Sequence, residues 1–195
     1  MRKFIAVLVL SLGVGGASAQ EVYNLLPNSE ISVKGTSTLH DWEVKSSEFE
    51  GGLELKSKRK AINSGSASGE IIAGSLKIKV EGLKGERGET MNAKMHRALK
   101  FEEHPTIDFQ LSTAFYTHEE TSIEGQLTIG GTSKTLTFPA ALLVNDGEIN
   151  ISTEKSIKMS DFGIEPPTAM FGQIVTGDEV TLDLKLAFKV ADQLK

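Results

Sequence analysis

The sequence predicts an all-β fold, an antiparallel β-barrel of about eight strands with one α-helix inserted midway. Three observations carry this. Apolar and polar residues alternate with a period of two over most of the chain, as in strands with one wet face. Only the segment from Met91 to Phe101 changes to a helical period. The turns are short, which favours antiparallel pairing, and so many long alternating strands favour closure, which removes exposed edges.

The first nineteen residues stand apart from that pattern. Arg2 and Lys3 precede an apolar run from Phe4 to Leu12, and Ala17-Ser18-Ala19 offers a small-x-small site before Gln20. Residues 1–19 read as a secretory signal peptide; the run is shorter than the about 20 residues that span a bilayer. The expected mature domain, residues 20–195, is one domain's worth of chain. Removal of the leader takes away two basic residues and no acidic one, leaving 19 basic against 26 acidic residues, a net charge of −7. That balance argues against nucleic acid or an anionic membrane as partner. The absence of cysteine excludes disulfides, thiolate metal sites, a Cys nucleophile, covalent haem and a lipid anchor on an N-terminal Cys. No second apolar run reaches spanning length, so no stable membrane insertion is expected. The oligomeric state is not readable.

In chain order, Ile31, Val33 and Gly35 alternate with Ser32, Lys34 and Thr36. Trp42 and Val44 then carry the opposite parity, and Phe49, Gly51, Leu53 and Leu55 return to odd positions. A parity change within an extended run marks a bulge or corner, here near His40 and near Ser46. Lys56 to Lys60 is a dense basic cluster and Asn63 to Gly69 a Gly/Ser-rich loop. Ile72, Gly74, Leu76, Ile78 and Val80 form the next strand. Met91, Met95, Ala98 and Leu99 make one helical face, with Lys94, Arg97 and Lys100 opposite, Thr90 as cap and Pro105 as stop. Ile107, Phe109, Leu111 and Phe115 follow as a strand. Ile123 to Val144 reads as a hairpin around a loop of about five residues at Gly130-Gly131. Asn145-Asp146-Gly147 is a turn. Ile149, Ile151, Ile157 and Met159 share one parity, Asp161 to Thr176 is an irregular excursion, and Val180 to Val190 is the last strand.

The candidate chemistry is sparse. His40, His96, His104 and His118 show no metal-ligand spacing, so no metal site is expected. His40-Asp41 beside Ser37 lacks a framing nucleophile motif, and Asp161-Phe162-Gly163 stands without the other parts of a kinase; no catalytic residue and no cofactor are expected. Lys155 falls on the inward parity, and a bulge turning it outward is the favoured reading. Lys56 to Lys60 reads as a solvated hairpin end, with a phosphate head group as the alternative. Glycines 35, 51, 74 and 125 sit at inward positions, where they either leave room for a cavity or mark bends. The methionines and phenylalanines of the second half read mostly as core, with a Met-bearing helix face at a cavity mouth.

The order of motifs resembles the YceI family. It rests on Gly35-Thr36-Ser37-Thr38-Leu39-His40-Asp41-Trp42, on His104-Pro105-Thr106-Ile107-Asp108-Phe109, on Leu127 to Lys134, on Asp161-Phe162-Gly163-Ile164 and on Gly177-Asp178-Glu179-Val180. The resemblance implies an extended, lipocalin-like barrel with a helix beside its opening, export to the periplasm, and no established catalysis. It also implies binding of a polyisoprenoid or similar amphiphilic lipid. Many members open the helical segment with Arg-Asp-x-His-Leu, whereas this chain has Met91-Asn92-Ala93-Lys94-Met95, so head-group contacts there do not carry over.

The expected function is therefore non-catalytic binding or carriage of an isoprenoid or fatty-chain lipid in the barrel. The expected lipid-lining residues are Met91, Met95, Leu99, Phe109, Phe115, Leu127, Phe138 and Phe188, from helix face and strand parity. The alternative is an exported structural or stress-related interaction protein with a filled barrel.

Overall fold

The computed structural model describes residues 21–56, 69–86, 88–116, 121–145 and 148–191. The leader, the cluster residues 57–60, most of the Asn63 to Gly69 loop, His118 and Asp146-Gly147 lie outside the described residues, as do the side chains of Lys56, Glu70, Ile72, Phe115, Tyr116, Val144 and Asn145.

Among the described residues the alternation of apolar and polar residues becomes twelve strands. They are β1 (Glu21–Leu25), β2 (Glu30–Ser37), β3 (Trp42–Ser46), β4 (Phe49–Lys56), β5 (Gly69–Lys79), β6 (Leu83–Gly85), β7 (Thr106–Tyr116), β8 (Thr121–Ile129), β9 (Thr132–Asn145), β10 (Glu148–Lys158), β11 (Thr168–Ala169) and β12 (Ile174–Val190). The helix α1 spans Glu89–Ala98. The six short strands β1 to β6 act as three long, bent staves. β1 with β2, β3 with β4, and β5 with β6 each continue one another, and their antiparallel ladders match along the stave. With β7, β8, β9, β10 and β12 they make an eight-stave antiparallel meander. It closes because one edge of β12 pairs with β1 at Phe188, Lys189 and Val190 and with β2 from Thr176 to Lys185.

The expected corners appear at 38–41, between β2 and β3, and at Ser47-Glu48, between β3 and β4. The break between β1 and β2 contains Pro27, which has no N–H for a ladder. Buried Ser29 repairs the gap: its hydroxyl accepts from Ala187 N–H at 3.0 Å, and Leu26 N–H donates to Ala187 O at 2.8 Å. The central hairpin is tighter than its sequence suggests. Ile129 pairs directly with Thr132 across the two residues Gly130 and Gly131, at φ of 53° and 82°. Two positive φ values fit the twist of a two-residue hairpin, and glycine adopts them without a Cβ penalty.

Two bulges move side chains across the wall. A register shift at Glu54/Leu55 pairs Leu55 with Ile71, so buried Ile71 takes the inward place expected of Ile72. A second, between Leu111 and Thr113, pairs Ala114 with Ile123 and Phe115 with Ser122. Ala114 rather than Phe115 thus falls in line with Leu111, and the Phe115 side chain lies outside the described residues. At Lys155 the expectation fails the other way. The β10–β12 register runs unbroken from Glu148 to Lys158. No bulge turns Lys155 outward; it stays opposite Leu182 and half-buried.

The two ends of the barrel differ. Where β1, β5, β8 and β10 begin, Tyr23, Leu55, Ile71, Ala114, Ile149 and Phe188 pack into a closed plug, all at most 3% exposed. At the other end the wall divides. The β9–β10 ladder stops at Ala140 and Thr153, beside Pro139, which has no N–H to extend it; Thr153 Oγ1 donates to Pro139 O at 2.7 Å instead. A 3-10 turn over Met159–Phe162 follows β10, and Phe162 and Ile164 pack there against Leu127, Ile129, Leu136 and Val180.

Gly131 combines a left-handed φ with close approach: a Cβ there would lie 2.5 Å from His104 Nε2. Gly131→Ala is expected to cost about 1–3 kcal/mol, read in urea denaturation as a lower midpoint with unchanged slope.

Candidate functional site

Between the plug and the divided end the staves enclose a cavity of about 780 Å³. Its wall is built from inward strand positions: Val33 of β2, Leu53 of β4, Leu76 and Ile78 of β5, and Phe109 and Leu111 of β7. Ile123 and Leu127 of β8, Phe138 of β9, Ile151 of β10 and Leu182, Leu184, Leu186 and Phe188 of β12 complete it. Exposed lining residues mark the opening. Leu39 and Asp41 of the β2–β3 turn, Glu86, Met91 of α1 and Thr168 all border it.

The helix is placed by hydrogen bonds rather than by a cap. Its N-cap is Gly88, which makes no side-chain bond, and Thr90 lies within the first turn instead of capping it. Strand β6 pairs with β3 on one edge only. On its other side buried Asn92 accepts from Gly85 N–H through Oδ1 at 3.0 Å, and His96 Nε2 donates to Leu83 O at 2.9 Å. Two helix side chains therefore do what a neighbouring strand would do. They hold Met91, Met95, Ala98 and Leu99 against the cavity, and Lys94 borders it too rather than lying wholly on the outer face.

Seven of the eight expected lining residues come together around this cavity: Met91, Met95, Leu99, Phe109, Leu127, Phe138 and Phe188. The eighth, Phe115, has its side chain outside the described residues; the β7–β8 register puts Ala114 in line with Leu111 there. Sequence reasoning passed over Leu182, Leu184 and Leu186, which carry the same parity signal as Phe188, and over Trp42, whose parity belongs to a strand the corner had re-aimed. The inward glycines do not all open space. A Cβ at Gly35 would meet Trp42 Cζ2 at 2.3 Å, and one at Gly125 would meet Phe109 Cζ at 2.3 Å. At those two places the missing side chain makes room for an aromatic ring, and Phe109 in turn packs edge-on to Phe138 at 5.5 Å.

The residues with catalytic potential are engaged in local structure. Ser37 Oγ donates to His40 O at 2.8 Å, and His40 Nδ1 lies 2.8 Å from Asp41 O; neither contact forms a nucleophile–base pair. Among the described residues no group of three His, Asp or Glu is placed to hold a metal. Across from this turn, Ser160 donates to Asp178 through both its backbone N–H (2.8 Å) and its hydroxyl (2.6 Å). Those bonds, the hydroxyl's first, hold the Asp178 carboxyl below its ordinary value. The excursion from Asp161 to Thr176 is thereby tied to β12, and its Ile164, Pro167, Thr168, Ala169, Ile174 and Thr176 line the cavity.

Comparison with known proteins places this geometry. A family model described as the YceI-like domain matches residues 23–188. The crystal structure of BcnA from Burkholderia cenocepacia superposes with a TM-score of 0.64 at 19% identity, covering 82% of this chain and 95% of that one. A polyisoprenoid-binding domain from Saccharophagus degradans, described as implicated in plant cell wall breakdown, gives 0.62 at 12% identity, covering 87% and 98%. The YCEI protein of Campylobacter jejuni gives 0.57 at 16%, covering 77% and 85%. At these identities the likeness shows the fold. No curated protein matches the chain.

Asn92→Leu leaves Gly85 N–H unpaired, and is expected to destabilise by about 1–3 kcal/mol and to speed amide exchange at Gly85 selectively. For Asp178 the folded pKa is depressed, so its contribution is present at neutral pH and lost as pH falls below the ordinary 3.8 through the folded value. Ser160→Ala removes the larger cause; NMR titration is expected to show the Asp178 pKa rising toward 3.8.

Proposed function

The chain belongs to the YceI-like family, and from that premise we propose that it binds and carries a polyisoprenoid-like or other amphiphilic lipid in the barrel, without catalysis. The observation that carries the reading is the apolar cavity of about 780 Å³, closed at one end and open at the other. Its size lies within the about 300–1,000 Å³ of typical small-molecule sites. Its deep part, from Leu127 and Phe138 to Phe188, is lined mainly by apolar side chains, with Ser75 and Thr153 among them, and each buried methylene contributes about 0.8 kcal/mol at best. Polar groups gather at the mouth, where Ser37, Asn92 and Lys94 border the opening. A ligand with a long apolar tail and a small polar head fits that division, with loose preference for the head.

The fold shared with a polyisoprenoid-binding domain supports the same class of ligand. The proposed lining is Met91, Met95, Leu99, Phe109, Leu127, Phe138 and Phe188. The sequence of residues 1–19 supports export, and the family supports the periplasm as its destination. The alternative of a filled barrel with a purely structural role gains nothing from an interior that is open.

Organic extraction of the purified protein followed by mass spectrometry is expected to release a long-chain lipid in near-stoichiometric amount; its consistent absence sinks the carrier reading. Met95→Trp narrows the mouth, and is expected to weaken binding of a fluorescent fatty-chain probe by about tenfold or more while leaving thermal unfolding nearly unchanged.

A further inference from the structure

The apolar residues left exposed are not scattered. Among the described residues seven large hydrophobic side chains are exposed: Val22, Leu39, Met91, Leu143, Met170, Phe171 and Val175. Five of them stand around the cavity opening. Leu39 and Met91 line the cavity themselves. Met170 and Phe171 form the tip of the small hairpin between β11 and β12, whose roots Thr168, Ala169 and Ile174 also line it. Val175 is held against Thr38, the residue before Leu39: Thr38 N–H donates to Val175 O at 3.0 Å and Val175 N–H donates to Thr38 Oγ1 at 3.2 Å. Met170 and Phe171 are thus exceptions to the reading of the second-half methionines and phenylalanines as mostly core: Met170 is 64% exposed and Phe171 fully exposed.

The hairpin tip carries a second mark. Met170 and Phe171 hold φ of 52° and 54°, a left-handed conformation costly for non-glycine residues, about 1–3 kcal/mol each. Glycine at those positions would relieve the strain. Instead the chain spends two bulky apolar side chains there and points them at solvent.

We propose that this rim seats the barrel mouth on a lipid bilayer surface. The five side chains together expose on the order of 600 Å² if each full side chain offers about 200 Å². That is at the upper end of the about 300–600 Å² of the largest apolar patch on a typical monomer, a size often tied to function. The rim borders an open apolar cavity, and hydrocarbon can cover the one and enter the other, which a second copy's surface does less readily. A bilayer seated on it places acyl chains in continuity with the cavity lining at Leu39 and Met91. The charges nearby are mixed, with Asp41, Glu43, Glu86 and Glu89 against Lys94 and Arg97, so seating rests on apolar contact rather than on anionic lipid. The contact proposed is peripheral, made by the rim side chains alone.

Co-flotation of the protein with phosphatidylcholine vesicles tests this; Met170 and Phe171 do not line the cavity, so the rim variant is expected to keep its binding of the fluorescent fatty-chain probe, which separates this outcome from the carrier reading. The wild type is expected to float with vesicles in low and high salt alike. Met170→Ser with Phe171→Ser is expected to cut partitioning by about tenfold or more, while Leu143→Ser, away from the rim, leaves it unchanged. Three results overturn the proposal: no flotation of the wild type, equal loss in the Leu143→Ser control, or binding that needs phosphatidylglycerol and vanishes in salt. Sedimentation adds a fourth: a wild-type dimer that the rim variant makes monomeric assigns the surface to a second copy instead.

Discussion

Closure of the ring on a single edge of β12 is the constraint from which the other features follow. That strand is 17 residues long and must pair with two successive strands, β1 and β2, on the same side. A straight stave cannot follow its coil over that length, and Pro27 breaks the first stave where Ser29 takes over the hydrogen bonds of Ala187. The next two staves bend at matching heights, at Ser47-Glu48 and at the 3-10 turn over Val80–Gly82. Beyond that bend β6 no longer reaches β7, and the helix fills the place of the missing ladder through Asn92 and His96. The opening, its helix and its apolar rim are therefore consequences of how the wall closes.

The interior stays open because the inward positions are filled unevenly. At the plugged end Tyr23, Leu55 and Phe188 join Ile71, Ala114 and Ile149 from staves around the ring in one buried cluster. Farther along, Trp42 lies over Gly35 and Phe109 over Gly125, flat against the wall instead of across it. Aromatic volume is thereby spent on the lining, and the axis is left to a cavity. The surface contributes little by comparison. Cross-strand pairs such as Lys34–Asp183 at 2.6 Å and Lys185–Glu30 at 3.0 Å are solvent-exposed, and solvent screening leaves exposed pairs of this kind little net stabilisation. They raise the lysine pKa values through hydrogen bonds to the partner carboxylates, and they favour the register already set by the apolar faces.

Much of this was legible in the chain. Period-two alternation located the long strands, and the single change to a helical period located α1, since these patterns record burial directly. The parity changes near His40 and Ser46 announced the two corners. What escaped was whatever depends on one residue's worth of register. A bulge at Ser112 put Ala114 where Phe115 was expected, and another put Ile71 in place of Ile72. Neither leaves a Gly or Pro signal in the sequence. Lys155 misled for the opposite reason: a cation on the inward parity suggests a bulge, yet the ladder is regular there and the neighbouring strand β9 has already departed. The exposed Met170-Phe171 tip was invisible because an apolar pair reads as core unless its backbone conformation is known.

The central claim is that the barrel axis is a hydrocarbon site rather than a void awaiting collapse. The most direct measurement is a crystal structure of the protein purified without added lipid, with attention to density inside the ring. Continuous elongated density running from the Leu39–Met91 opening toward Phe188 is the expected result. A side-chain-filled interior, or one holding only discrete hydrogen-bonded waters, would contradict the account.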